Sequence, residues 1–299
     1  GLTDMGQGGY HQRPFPGAHL ERLGVPGFNF SDGPRGAVIG PATAFPVSMA
    51  RGASFDLDLE ERVGRAIGRE LRATGADLTG AVCVNLLRHP AWGRAQETYG
   101  EDPHHVGEMG AALTRGLQER VMATVKHFAL NSMENARFKV DVTCAEEHLH
   151  EVYLPHFLRI VDEGVACVMS AYNSVNGDYC GESRHLLREV LKGEWGYRGF
   201  VMSDFFAGVY DGVKAAKAGP VTIPTDRNDA KIAVGRHEVS LTNLQKPFWP
   251  ELGITKGDLL QYYADVSPWL LPHLRDRAMV MKRYPDGAEG EFFYMKRAP

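Results

Sequence analysis

The chain has 299 residues, 43% hydrophobic and 23% charged, which is enough apolar material for one large domain or two ordinary ones. A formal net charge of −4 argues against a global basic field for nucleic acid. No apolar run approaches the ~20 residues that a membrane span needs, so no membrane partner is expected.

Taken in chain order, Gly6-Gln7-Gly8-Gly9 follows no strand and reads as a loose start rather than a dinucleotide loop. FNF (28–30) is a short strand ending at Ser31-Asp32-Gly33-Pro34. A helix is expected over 56–73, with Asp56 or Asp58 at its cap and Gly75 past its end. AVCVNLL (81–87) reads as a strand. Asp102-Pro103 reads as the cap and first residue of a helix to about 119. VMATV (121–125) is the next strand, and Thr143 with Glu146 forms a capping box for a helix to about 163. VACVMSAY (165–172) is a strand, 184–193 a short helix and GFVMS (199–203) a strand, with a further helix from near Ala207.

The pattern changes after Gly219. PVTIPTDRND (220–229) looks like a junction, and 233–243 alternates like a hairpin. A helix is expected from Thr255, with Asp258 in its first turn and a kink at Pro268. MVMKRYP (279–285) reads as a strand and PDGAEG as a turn. The stretch 226–299 has a net charge of +1 and the rest −5, a weak hint of different partners.

Alternating strands and helices imply an α/β fold with parallel strands and helical crossovers. An open doubly wound sheet and a closed (β/α)8 barrel compete. The barrel is favoured because strand after strand ends in a chemically capable residue: Asp32, Asn85, Lys126-His127, Tyr172 and Asp204. An open sheet concentrates such groups at its switch point. Cys83, Cys144, Cys167 and Cys180 form no C-x-x-C pair, and buried free thiols in a reducing cytoplasm are the expected reading. His148 and His150 in H-L-H-E lie two apart on a helix and point to different faces, so no metal site is expected.

SDGPRG (31–36), ATAFP (42–46), NLLRHPAWGRAQETYGEDP (85–103), VKHFALNS (125–132), VMSAYNSVNG (168–177) and GFVMSDF (199–205) together resemble glycoside hydrolase family 3, in family order, over roughly 15–219. The resemblance implies retaining hydrolysis of β-linked glucosides or related saccharides, without a cofactor. Asp204 matches the nucleophile, a role that position alone does not separate from a helix cap. Asp32 matches the acceptor of sugar hydroxyls. Arg94, Lys126 and His127 match donors that hold the sugar, and Tyr172 a pocket-lining residue. Asn85 and Arg88 are candidate supporting groups. Glu97, Glu101 and Asp102 offer themselves as a second carboxylate, but Asp102 reads as a cap and Glu101 as a structural partner of arginine or backbone donors. In the family the acid/base usually comes from a sandwich domain after the barrel. Here the match stops just past Asp204, where a seventh strand would end, so an incomplete barrel with impaired activity is expected.

Residues 239–299 carry LTN-x-x-K, W-P-E-x-G-I-T-K-G-D, Y-Y, LLPHL and KRYPDG. In this order they resemble the start of the primase-like polymerase domain of bacterial end-joining DNA ligases. That resemblance implies a partial α+β fragment in which Lys246 and Lys256 hold a DNA 5′-phosphate, with Lys282 and Arg283 available as further cations. The family's metal-binding aspartates lie further along, so polymerase activity is not expected. The expected organisation is 1–219 barrel, 220–232 junction and 233–299 polymerase-like fragment. A chimeric reading frame that joins two gene pieces near 219–229, without function, is the simplest account of such a pairing.

Overall fold

The computed structural model describes residues 9–19, 27–205, 207–211, 215, 223–224, 226–234, 237–250, 253–262, 264, 280–283 and 293–296. The chain divides into two compact units, Gly1–Ala215 and Ala216–Pro299.

The first unit is built on strands β1 (Phe15–Gly17), β2 (Phe28–Ser31), β3 (Leu78–Cys83), β4 (Met122–Phe128), β6 (Cys167–Ser170) and β9 (Phe200–Met202), in that order across one sheet. All neighbours run parallel except β1, an antiparallel edge strand that the sequence did not suggest. Every residue of β3 and β6 is buried, as expected of parallel strands covered on both faces. Strands β5 (Asp141–Val142), β7 (Ser174–Val175) and β8 (Asp178–Tyr179) form a separate small sheet.

The sheet curls. β2 and β9 stand four places apart, about 19 Å on a flat sheet at the usual strand spacing. Yet the rings of Phe28 and Phe200 stack at 4.8 Å between centroids, and Phe30 meets Phe205 edge-on at 5.2 Å. Phe30, Leu78, Cys167 and Met169 fill the concave side beneath these rings. The expected incomplete (β/α)8 barrel is, among the described residues, a curled parallel half-barrel. β9 is its fifth parallel strand rather than a seventh.

The covering helices follow their sequence signals. In α2 (Leu57–Ala73, after a short α1, Ser48–Gly52), Glu60, Val63, Gly64, Ile67, Gly68 and Leu71 are buried at helical spacing. The Asp56 side chain caps α2 by accepting from the Leu59 N–H at 2.8 Å, and Gly75 ends it at φ +86°. α3 (Pro103–Gln118) begins with Pro103, and Asp102 accepts from the His105 N–H at 2.7 Å. The two helices approach through glycine: a Cβ on Gly116 would lie 2.2 Å from the Glu61 carbonyl oxygen.

Some boundaries differ from expectation. β3 runs 78–83 rather than 81–87, because past Cys83 the chain leaves the ladder and Asn85 turns its amide onto His127. Thr143 does not cap: Asn176 binds both the N–H and the carbonyl of Cys144 and holds this stretch extended up to Ala145. The helix then starts at Glu146, widens through Leu149–Tyr153 and continues as α4 (Pro155–Asp162). The helix expected over 184–193 is the wide-turned α5 (His185–Glu194). Residues 207–211 are not helical, and most of the helix expected there lies outside the described residues.

In the second unit, β10 (Ala230–Val234) and β11 (His237–Leu241) make the expected hairpin. β12 (Pro247–Trp249) pairs with β13 (Ile254–Thr255), and β14 (Val280–Arg283) pairs with β15 (Phe293–Lys296). Residues 256–262 are helical, and the Thr255 N–H and hydroxyl both donate to Asp258. Pro268 and the turn at PDGAEG lie outside the described residues. No helix among the described residues is long and apolar enough to cross a membrane.

Candidate active site

Four strand ends and the loop after β3 converge on one cavity of about 460 Å³, within the usual range for small-ligand pockets. Asp32, Arg94, Lys126, His127, Tyr172 and Asp204 all line it, so the structure brings together every sugar-site residue expected from the sequence. Glu97, Glu134, Arg137, Met169 and Phe205 complete the wall.

The loop that carries Asp32 is anchored from behind. Arg51 reaches the carbonyls of Pro34 and Pro46 and pairs with buried Glu60 at 2.8 Å, and the Tyr99 hydroxyl donates to the same carboxylate at 2.6 Å. At the cavity floor the Lys126 ammonium donates to Asp32 Oδ1 at 2.6 Å. These residues come from β4 and from the end of β2, on either side of β3, so the pair spans the intervening strand. Gly80 in β3 makes room: a Cβ there would lie 2.9 Å from Asp32 Oδ1 and 3.2 Å from Lys126 Nζ. Burial alone would raise the Asp32 carboxyl, but the charges of Lys126 and Arg94 and the Gly33 N–H outweigh it and hold it below the usual range. Burial would likewise lower the Lys126 ammonium, and the charge of Asp32 more than offsets that.

His127 is fixed on every side. Asn85 accepts from its backbone N–H at 2.9 Å and from Nδ1 at 3.0 Å, and donates to its carbonyl at 2.8 Å. Arg94 Nη1 donates to Nε2 at 2.8 Å. These partners assign the proton to Nδ1. Burial, then the charges of Arg94, Lys126 and Arg137, drive the imidazole pKa far below its ordinary value and keep the ring neutral. Both ring nitrogens are thus occupied by protein groups, which leaves His127 no ring N–H for the donor role expected of it. Arg94 commits three of its five N–H groups, one to His127 and two to Glu97 at 3.0 and 2.6 Å, and so retains two.

Asp204 sits two residues past β9 and is 7% exposed. Its Oδ1 accepts from the Phe205 N–H at 2.7 Å. Its Oδ2 makes no hydrogen bond of acceptable geometry. The nearest ring nitrogen, His127 Nε2 at 3.6 Å, is an acceptor in the assigned tautomer and gives it no proton. Burial pushes the Asp204 carboxyl above the usual range. Lys126, the Phe205 N–H, the Tyr172 hydroxyl and Arg94 oppose this without cancelling it. Tyr172 packs against Phe138 and under the Arg137 guanidinium, and burial followed by the Asp204 charge raises its phenol.

The supporting candidates separate. Asn85 holds His127, as described. Arg88 instead lies over the Tyr153 ring at 5.0 Å and does not line the cavity. Glu97 lines it, gripped by Arg94. Asp102 caps α3, and Glu101 is exposed with no side-chain partner among the described residues, contrary to the structural pairing expected of it. Glu134 and Arg137, paired at 2.8 Å, were missed. The Trp92 indole donates to Glu134 at 3.4 Å, so the W-G string and the loop after β4 were the available signal. Lys246 and Lys256 are neighbours, the Lys256 N–H donating to the Lys246 carbonyl at 2.8 Å, while Lys256 Nζ is taken up by the Thr242 carbonyl at 2.6 Å. The side chains of Lys282 and Arg283 lie outside the described residues.

The family model for the glycosyl hydrolase family 3 N terminal domain matches residues 18–224, and that for the LigD primase-polymerase domain matches 255–299. Lys256 falls inside the second match and Lys246 before it. The chain is similar to thermostable beta-glucosidase B of Acetivibrio thermocellus, 39% identical over 75% of this chain and 31% of that protein. It is also similar to beta-glucosidase B of Emericella nidulans, 43% identical over 61% and 22% respectively. Among solved structures, beta-glucosidase 3B of Thermotoga neapolitana in complex with alpha-D-glucose superposes with a TM-score of 0.67 at 38% identity, covering 70% of this chain and 31% of that one. The beta-glucosidase DesR of Streptomyces venezuelae in complex with D-glucose gives 0.69 at 29%, covering 88% and 34%. The chain thus spans about a third or less of the length of these proteins. Its curled parallel sheet and its family match across two thirds of its residues place it in glycosyl hydrolase family 3, as a bearer of that family's N-terminal domain.

Proposed function

We propose that the first unit binds a β-linked glucoside and cleaves its glycosidic bond with retention, Asp204 acting as nucleophile. One observation carries this: into a cavity lined by Asp32, Arg94, Lys126 and Tyr172, Asp204 presents a buried oxygen that makes no hydrogen bond of acceptable geometry, with the Tyr172 hydroxyl near enough to lower the carboxyl's pKa. Oδ2 attacks the anomeric carbon, the bond to the leaving oxygen breaks, and a glycosyl ester forms that water later hydrolyses. Asp32 accepts from sugar hydroxyls, and the remaining N–H groups of Arg94 and Lys126 donate to them.

Departure of the leaving group calls for an acid. Besides Asp204, the carboxylates that line the cavity are Asp32, Glu97 and Glu134, each paired with Lys126, Arg94 or Arg137. None of these is arranged as a proton donor, so turnover should depend strongly on leaving-group quality. The full chain, incubated with 2,4-dinitrophenyl 2-deoxy-2-fluoro-β-glucoside and mapped by mass spectrometry, should carry one label on Asp204. The label should vanish in Asp204→Ala while the melting curve is kept. A label on another residue, or one that survives the substitution, overturns the assignment.

A second reading concerns the other unit. The family match over 255–299 and the adjacency of Lys246 and Lys256 favour contact with a DNA 5′-phosphate. Fluorescence anisotropy should then show tighter binding to phosphorylated than to unphosphorylated ends, weakening with salt. Equal affinity for both would defeat it.

A further inference from the structure

We propose that Glu146, His150 and His185 form a binding site for a divalent transition metal, with zinc the best-fitting ion. The two histidines lie 35 positions apart in the chain, on the helical stretch that leads into α4 and at the start of α5. They meet on one carboxylate oxygen: Glu146 Oε1 stands 2.9 Å from His150 Nε2 and 2.8 Å from His185 Nε2. Together the three residues offer one ligand atom each, all within 4.8 Å of one another. None of them lines the sugar cavity.

Two further features separate this cluster from an ordinary ion pair. The first is the state of His185. Its Nδ1 lies 3.2 Å from Glu189 Oε2, and Glu189 is itself paired with Arg184 at 3.1 Å. A carboxylate on Nδ1 holds the proton there and turns the Nε2 lone pair outward, the arrangement that supports metal-binding histidines. The second is the orientation at Nε2. This atom is shielded from solvent and makes no hydrogen bond of acceptable geometry, although Oε1 is only 2.8 Å away. The oxygen therefore lies off the nitrogen's axis. A donor and acceptor favour alignment, whereas two ligands of one cation do not, because the ion forms the apex between them.

The donor set selects the ion. Two imidazoles and one carboxylate suit zinc and its neighbours better than magnesium or calcium, which favour all-oxygen shells. Bonds of 2.0–2.1 Å in a tetrahedron separate ligand atoms by about 3.3 Å. The two oxygen–nitrogen distances meet that by opening about half an ångström, and the two imidazole nitrogens, within 4.8 Å of each other, would settle at the same separation. Glu146 begins its helix with a side chain more than half exposed, so it has room to shift. The fourth position would be open to water. The sequence alone could not suggest this, because His150 finds its partners one helical turn back and on another helix, not at His148.

Isothermal titration of the metal-free full chain with zinc chloride should show one ion per chain. Binding should be lost in His150→Ala and in His185→Ala and unchanged in His148→Ala, and Glu189→Gln should weaken it about tenfold. Zinc should also protect His150 and His185, but not His148, from diethylpyrocarbonate in the unsubstituted chain, a test that needs no variant to fold. No saturable binding, binding retained in both alanine variants, or equal modification with and without zinc overturns the site.

Discussion

Lys126→Met tests the electrostatic logic of the cavity most directly. Lys126 is 3% exposed and Asp32 25%. Removing one partner of a buried ion pair typically costs 3–5 kcal/mol. Partial exposure of Asp32 and the remaining charge of Arg94 reduce this to about 2–4 kcal/mol at neutral pH. In a unit of this size that lowers the melting temperature by roughly 5–15 °C. The pH dependence has a definite sign. With its pKa lowered by Lys126, Asp32 contributes stability above the ordinary carboxylate pKa that is lost as pH falls through the lowered value. In the variant, burial acts without that opposition and the Asp32 carboxyl rises. Protonation then relieves the variant first, so the stability gap to the parent should narrow from about pH 7 toward about pH 4. Lys126 is also the foremost charge pulling Asp204 down. The acid limb of fluoroglucoside labelling should therefore move to higher pH. Urea melts at both pH values, together with labelling rates across pH, read the two effects. A gap that stays constant, with an acid limb that does not move, would refute the reasoning.

Two other outcomes follow from the same structure. Asn85→Asp places a negative charge on His127 Nδ1 and favours the imidazolium, whose Nε2–H would then turn to Asp204 Oδ2. A charge-assisted hydrogen bond of about 1.5–3 kcal/mol on the attacking oxygen should slow labelling roughly 10- to 100-fold, and an unchanged rate would count against the assigned tautomer. His156 is buried, its Nδ1 lacks a hydrogen-bond partner, and burial followed by the Arg88 charge presses its pKa down to about 3. The unfolded chain takes up this proton near pH 6.5, so stability should fall by roughly 2 kcal/mol between about pH 6.5 and pH 5. His156→Leu should flatten that slope in urea melts, and an equal slope in both proteins would show that the acid sensitivity arises elsewhere.

The sequence by itself determined the strand-end residues of the cavity, though not Glu134 and Arg137 on its wall. Asp32, Lys126, His127, Tyr172 and Asp204 each lie at or just past the end of an apolar run. In parallel α/β sheets that end is where side chains leave the packed interior and face a cavity. Helix starts at Asp56 and Asp102 were equally legible, because a cap depends only on a side chain and a backbone N–H three residues away. What tertiary structure decided lies in contacts made across the chain. The curl that sets Phe28 on Phe200 could not be read from strands that are uniformly apolar. Gly80 looks like a weak point in a strand until it is seen to leave room for the pair between Asp32 and Lys126. The tautomer of His127 depends on Asn85, 42 positions away, and the expected Thr143 cap was displaced by Asn176. Local pattern places a residue at the end of a strand, but its charge, its proton and its partner are set by groups that only folding brings within a few ångströms.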